Sequence, residues 1–253
     1  MISSKKMRTT FLTFTTGLLL LLTNMPLAAQ QKKTTAGKPV KKQAQVATHT
    51  ALPKKMASPD TAVTRVKITT SMGEIVIKLY NQTPQHRDNF IKLVKSHFYD
   101  SLLFHRVING FMIQGGDPDT KNAIPGQRVG MGGVGYTVPA EFDSLLYHKK
   151  GALCAARSEN PAKASSGCQF YLVHGKTYND AQLDMIERAN NNYFSPAKRM
   201  TYKMLGGTPT LDKNYTVFGQ VETGLEVIDK IAMMPADNYN RPLEDVRMRI
   251  EVL

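Results

Sequence analysis

Phe104-His105-Arg106-Val107-Ile108-Asn109-Gly110-Phe111-Met112-Ile113-Gln114-Gly115-Gly116-Asp117 is the stretch on which the fold turns. Two short apolar runs, Leu102–Val107 and Phe111–Gln114, flank Asn109-Gly110. An Asn-Gly pair between apolar runs predicts a β-hairpin, because a tight reversal needs backbone conformations that these two residues tolerate. The polar content is unusual for core strands, since Arg106 and Gln114 sit among apolar neighbours. Side chains alternate along a strand, so Met112 and Gln114 share one side, with Phe111 on the other unless the strand bends or bulges. That side presents a fixed cation, an amide and a soft apolar wall, with no hydroxyl or thiol nucleophile in the stretch. A surface arginine beside a core hairpin would leave the same pattern, so at this level both readings stand.

Read as F-H-R-V-x-x-G-F-M-x-Q-G-G-D, the stretch resembles the signature of the cyclophilins, the cyclosporin-type peptidyl-prolyl cis-trans isomerases. Further segments match the same family in order: Gly167-Cys168-Gln169-Phe170-Tyr171, Leu211-Asp212 and Thr216-Val217-Phe218-Gly219. The similarity runs from Val63 to Leu253 with one insertion. It implies a mainly β fold, a closed eight-stranded antiparallel barrel capped by two helices. It implies an enzyme that rotates X-Pro bonds in unfolded or extended polypeptides without metal or cofactor. In the family's terms Arg106 is the donor to the proline nitrogen, and Gln114 orients it and holds the substrate carbonyl. Phe111, Met112, Tyr171 and Leu211 form the ring pocket, Gln169 adds a polar contact and Tyr215 rims the pocket. Ala156 and Arg157 match a strand segment whose backbone pairs with an extended peptide.

Three departures from the family pattern stand out. Tyr171 replaces a phenylalanine, so a hydroxyl enters or rims the pocket. Tyr215 replaces a histidine. Thr210 stands where cyclosporin-sensitive members usually carry tryptophan, and this chain has no tryptophan, which implies weak cyclosporin binding. The competing function from another class is a peptide-binding chaperone or scaffold with little turnover. It is disfavoured because a mere binder needs no aligned guanidinium.

The net charge of +13 is unevenly spread. Residues 1–65 hold 11 Lys/Arg against one acid, Asp60, whereas residues 66–253 hold 22 against 19. The globular part is nearly balanced, which gives nucleic-acid binding little support. Lys5, Lys6 and Arg8, the apolar run Phe11–Leu22 and Ala28-Ala29 have the layout of a secretory signal peptide over residues 1–29. Export to the periplasm or cell envelope is the expectation, with no stable membrane insertion after cleavage and a monomeric product. Residues 30–62 are rich in Lys, Thr, Ala and Gln, and read as a disordered linker. Its lysine pairs could instead hold an acidic or membrane surface. Only Cys154 and Cys168 occur, and two buried, unpaired thiols are the expectation.

The fold is expected to begin near Val63 with a hairpin: Val66 and Ile68, a turn at Ser71-Met72-Gly73, then Ile75, Ile77 and Leu79. Thr83-Pro84 predicts an N-cap and first-turn proline for a helix that buries Phe90, Leu93 and Val94. Residues 117–134 read as a long surface loop. Its Gly130-Met131-Gly132-Gly133-Val134-Gly135 fits G-x-G-x-x-G, but no helix opening follows, so a dinucleotide site is rejected. Ala152–Ala156 and Gln169–Val173 read as strands. The insertion, about residues 178–208, predicts a helix capped by Asp180 and another opened by Ser195-Pro196, with Met200 and Met204 as packing residues. Thr216–Val221, Gly224–Ile231 and Val246–Val252 close the chain as strand, helix and strand. Six histidines are scattered without metal-ligand spacing, and His105 is assigned to packing.

Overall fold

The computed structural model describes residues 63–253; the leader and linker read from residues 1–62 lie outside the described residues. In chain order the elements are β1 (Arg65–Thr70), β2 (Gly73–Leu79), α1 (Pro84–Lys95), β3 (Phe104–Ile108), β4 (Met112–Gly115), β5 (Thr137–Val138), β6 (Ala152–Ala155), β7 (Ser165–Ser166) and β8 (Phe170–Val173). They continue with α2 (Asp180–Asn190), α3 (Pro196–Met204), β9 (Val217–Thr223), α4 (Leu225–Ala232) and β10 (Met248–Val252). Short 3₁₀ turns span Pro118–Thr120 and Pro209–Leu211.

Eight strands form one antiparallel sheet in the order β10-β1-β2-β9-β6-β8-β4-β3. The sheet curls, and its two edge strands approach each other. They meet at an isolated bridge between Leu103 and Arg247, flanked by bonds from Phe104 N–H to the Val246 carbonyl (2.9 Å), from Met248 N–H to the Leu102 carbonyl (2.8 Å) and from Ser101 N–H to the Met248 carbonyl (2.9 Å). This corrects the expected closed barrel to a curled sheet whose ladder is interrupted at one seam. The seam lies at the start of both edge strands, where β3 begins at Phe104 and β10 at Met248.

The concave face is the main core. Val66, Ile68, Ile75 and Ile77 alternate inward, as strand periodicity demands. Phe90 of α1 stands edge-on to Phe170 and Phe218, with centroids 5.4 Å apart in each case. Ile228 and Ile231 of α4 join the same core. Strands β6 and β8 are buried on both faces, which explains why they read as unbroken apolar runs. Leu153, Phe170 and Leu172 point into the concave core, while Cys154, Tyr171 and Val173 join Met112 and Val217 in a second cluster on the convex side. Both cysteines are buried free thiols.

Three local readings are corrected. Thr83 precedes α1, but its hydroxyl makes no capping bond. The cap comes from Glu141, 55 residues away, which accepts from the backbone N–H groups of Gln85 (3.1 Å) and His86 (2.9 Å). The cap of α2 is Asn179 rather than Asp180, in a reciprocal box with Gln182. Met200 and Met204 are 56% and 76% exposed, not packed. The buried face of α3 is Lys198 and Tyr202, and the insertion closes on a small core of Leu183, Phe194 and Tyr202.

Candidate active site

The site lies on the convex face, where β3, β4, β8 and β6 run side by side. A register shift between Phe104 and Arg106 leaves His105 as an extra residue, a bulge. Beyond it Arg106 pairs across the strands with Gln114, Gln114 with Tyr171, and Tyr171 with Cys154. Directly opposed residues share a face, so these side chains form a row across the sheet. Phe111 precedes β4, beyond the Asn109-Gly110 turn where Gly110 has φ +73°. Strand alternation does not bind it, and it reaches the same side as Met112.

Arg106, Phe111, Met112, Gln114, Ala156, Arg157, Tyr171, Leu211 and Tyr215 line one cavity of about 120 Å³. Nine of the ten residues named from the sequence thus meet there. The tenth, Gln169, lies in an adjoining, more open groove of about 600 Å³, bounded also by residues 130–137 and by Gln114, Ala156 and Arg157.

Hydrogen-bond polarity sets the orientation of the row. Arg106 Nη1 donates to Gln114 Oε1 at 3.2 Å and lies 4.0 Å from Met112 Sδ. Gln114 Nε2 donates to Gln169 Oε1 at 3.0 Å, and Gln169 Nε2 donates to the carbonyls of Gly130 (3.1 Å) and Gly132 (2.8 Å). A guanidinium can only donate and a carbonyl only accept, so neither amide can flip without losing bonds. Both N–H groups of the Gln169 amide are engaged within this chain, so Gln169 also supports Gln114 from the floor of the open groove. Burial lowers the Arg106 pKa from its ordinary value, but a guanidinium stays charged.

The apolar walls are held just as firmly. Tyr171 is 4% exposed, and its hydroxyl points away from the cavity to His148 Nε2 at 3.0 Å. The expected hydroxyl at the pocket rim is thus turned behind the wall, and burial pushes the phenol's pKa well up. Tyr215 stands edge-on to Tyr171, with the Arg157 guanidinium 4.6 Å from its ring centre. Arg157 is fixed in turn by donating Nε–H to the Asn214 carbonyl at 2.9 Å. Backbone pairing is redistributed as well. Ala156 N–H bonds the Gln169 carbonyl (2.9 Å) and its carbonyl accepts from Ser166 (2.8 Å), whereas Arg157 has no backbone partner among the described residues. Arg157 therefore has both main-chain groups free of backbone partners, while the Ala156 N–H is already bonded within the chain.

Several contributors escaped sequence reasoning. The Gly130 and Gly132 carbonyls come from the glycine loop, which Asp117 pins by accepting from Gly130 N–H. His148 carried no motif at all. A second constellation has the form of a nucleophilic triad: Ser165 Oγ is 2.9 Å from His86 Nε2, and His86 Nδ1 is 2.6 Å from Glu141 Oε2. Ser165 is only 1% exposed and Glu141 is occupied in capping α1. No substrate can reach it, and it acts as a buried tie between α1 and β7.

Comparison with known proteins agrees with this architecture. The family model described as cyclophilin type peptidyl-prolyl cis-trans isomerase/CLD matches residues 65–252. A candidate peptidyl-prolyl cis-trans isomerase of Staphylococcus aureus strain COL is 34% identical over 183 residues, covering 72% of this chain and 87% of that protein. A candidate bifunctional phosphatase/peptidyl-prolyl cis-trans isomerase of Streptococcus pyogenes serotype M6 is 36% identical over 185 residues, 72% of this chain but only 37% of its own length. Among solved structures, a Cryptosporidium parvum cyclophilin-type isomerase superposes with a TM-score of 0.57 at 23% identity, covering 76% of this chain and 98% of that one. The same protein in the presence of the dipeptide Ala-Pro gives 0.56. At such identity the structures speak for the fold. The extent of the family match and of the staphylococcal similarity goes further, and this chain belongs to the cyclophilin-type peptidyl-prolyl cis-trans isomerase family.

Proposed function

We infer that this chain catalyses cis–trans rotation about X-Pro peptide bonds in extended or unfolded polypeptides, with Arg106 and Gln114 as its catalytic residues. The peptide C–N bond resists rotation by about 18–20 kcal/mol because the nitrogen lone pair is shared with the carbonyl. When the bond is twisted that sharing is lost and the nitrogen becomes pyramidal and basic. A donor aimed at the nitrogen then stabilises the twisted state more than either planar isomer, which is the condition for acceleration. Arg106 supplies such a donor at the edge of an apolar cavity, and Gln114 orients it without neutralising it. The second N–H of Gln114 Nε2 is left for the substrate carbonyl. The proline ring enters between Phe111, Met112, Tyr171 and Leu211, and residues before it lie along the groove, paired with the Arg157 backbone. No proton transfer, nucleophile or metal is required by this scheme.

The observation that carries the reading is the Arg106 guanidinium, held by an amide and facing a cavity of proline size. A charge-assisted bond made mainly in the twisted state contributes about 1.5–3 kcal/mol, or about 10- to 100-fold in rate. In a protease-coupled assay on an Ala-Pro peptide, Arg106→Ala should lose activity by that factor while remaining folded. Equal turnover by the two proteins would leave a peptide-binding chaperone or scaffold instead.

Export to the cell envelope is part of the proposal, supported by the basic, apolar and small-residue segments of residues 1–29. Fractionation of cells, with the mass of the mature N-terminus, tests it: a cytoplasmic protein that retains Met1 would refute it. The changes at Thr210 and Tyr215 support weak cyclosporin binding. We place the working unit as a monomer, which sedimentation would check.

A further inference from the structure

Behind the cavity, buried polar groups run from its wall to the inserted helices. The Tyr171 hydroxyl and His148 Nε2 are hydrogen-bonded at 3.0 Å, and the two rings stack with centroids 6.1 Å apart. His148, fully buried, presents Nδ1 to Asp212 Oδ1 at 2.9 Å, and its backbone N–H bonds the same oxygen at 2.9 Å. The other carboxylate oxygen, Asp212 Oδ2, receives Tyr202 O–H and Lys198 Nζ, each at 2.7 Å. Lys198 and Tyr202 are one turn apart on α3, so both face inward together.

Asp212 directly follows Leu211 in the chain, and Leu211 and Tyr171 are two walls of the cavity. We propose that Lys198 and Tyr202 of the insertion are positioning residues for the proline pocket, acting through Asp212 and His148 on Leu211 and Tyr171. The inference rests on the isomerase reading and assigns the insertion a role in it. Lys198 and Asp212 are 9% and 3% exposed. A buried ion pair is weak evidence for stability, since well-packed apolar residues often do as well. What it supplies is direction, because a carboxylate with both oxygens engaged from two sides has one favoured placement. Simple docking of α3 would not require contact with the hydroxyl of a pocket wall. Here the chain of bonds ends on one, so moving α3 moves Leu211 and changes the tilt of the Tyr171 ring.

The pocket grips the proline ring in both planar isomers and in the twisted state. Loosening it therefore removes uniform binding, which raises KM and leaves kcat, whereas loss of Arg106 lowers kcat. Lys198→Met, Tyr202→Phe and Tyr171→Phe test this in full-length protein, with folding checked by circular dichroism and thermal melting. The expected result is KM raised about 5- to 10-fold with kcat within about twofold. Lys198→Met combined with Tyr171→Phe should raise KM by less than the product of the single effects, as expected of sites coupled through shared partners. Tyr202→Phe keeps the buried ring and removes one hydrogen bond, so it remains informative if Lys198→Met does not fold. Unchanged KM in the folded variants, or single effects that simply multiply, would overturn the proposal. If wild type turns over no peptide, the isomerase reading falls by itself. The dissociation constant of the same Ala-Pro peptide then replaces KM, with the same expected and refuting outcomes.

Discussion

Among the described residues, no carboxylate pairs with Arg106, although the domain holds many arginine ion pairs. The physical reason follows from its proposed task. A carboxylate would hold the guanidinium firmly but also satisfy the N–H groups and charge meant for the substrate. An amide orients it and leaves that charge available. Gln114→Glu is nearly isosteric and should form the missing ion pair. Its kcat/KM at neutral pH should fall about tenfold or more, by loss of a charge-assisted bond worth about 1.5–3 kcal/mol. Steady-state kinetics checks this, with a thermal melt to show that the variant is folded. Undiminished turnover would mean that Gln114 does not keep Arg106 free for the substrate.

At the scale of elements, helix α1 depends on a residue far from it in sequence. A helix leaves its first N–H groups without partners, and here Glu141 rather than Thr83 supplies the acceptors. Glu141 also holds His86 Nδ1 at 2.6 Å. Burial lowers the His86 pKa, and Glu141 partly opposes that shift. Urea denaturation should show Glu141→Ala costing about 1–2 kcal/mol, the usual range for a lost cap, and Thr83→Ala costing a small fraction of that. The reverse order would restore the local cap that the Thr83-Pro84 pair suggests. The inserted helices follow the opposite rule. Both carry local caps, Asn179 and Ser195, and their tie to the rest of the domain runs through buried charge.

For the molecule as a whole, acid stability should reflect histidines enclosed where charge is poorly tolerated. His105 is 4% exposed, and neither ring nitrogen has a side-chain partner. Desolvation, only partly offset by nearby Asp117 and reinforced by Arg106 and Arg241, brings its pKa down to about 4. A histidine lowered on folding binds protons more readily when unfolded. Its contribution is complete above about pH 6.5 and is lost as pH falls toward 4, amounting to about 3 kcal/mol. His86 and His174 are lowered in the same direction, mainly by burial, and steepen the fall. Unfolding free energies measured between pH 7 and 4 should drop more steeply for wild type than for His105→Asn. Parallel curves would show that His105 titrates as freely folded as unfolded.

Much of this protein was legible in its chain. Alternation along β1, β2 and β10 is local, and so is the apolar stripe of α1. The hairpin around Gly110 and all nine residues lining the cavity were readable from the Phe104–Asp117 stretch together with short matching segments elsewhere. What the linear order could not contain is which polar groups face each other after folding. The interrupted seam between β3 and β10, the cap from Glu141 and the engaged amide of Gln169 each depend on partners dozens of residues apart. So does the path from α3 through Asp212 and His148 to the Tyr171 hydroxyl. Residue periodicity dictates which side of an element is buried, because that is a property of one strand or helix. A hydrogen bond between distant side chains depends on angles and separations set by every element between them, and only the folded arrangement decides it.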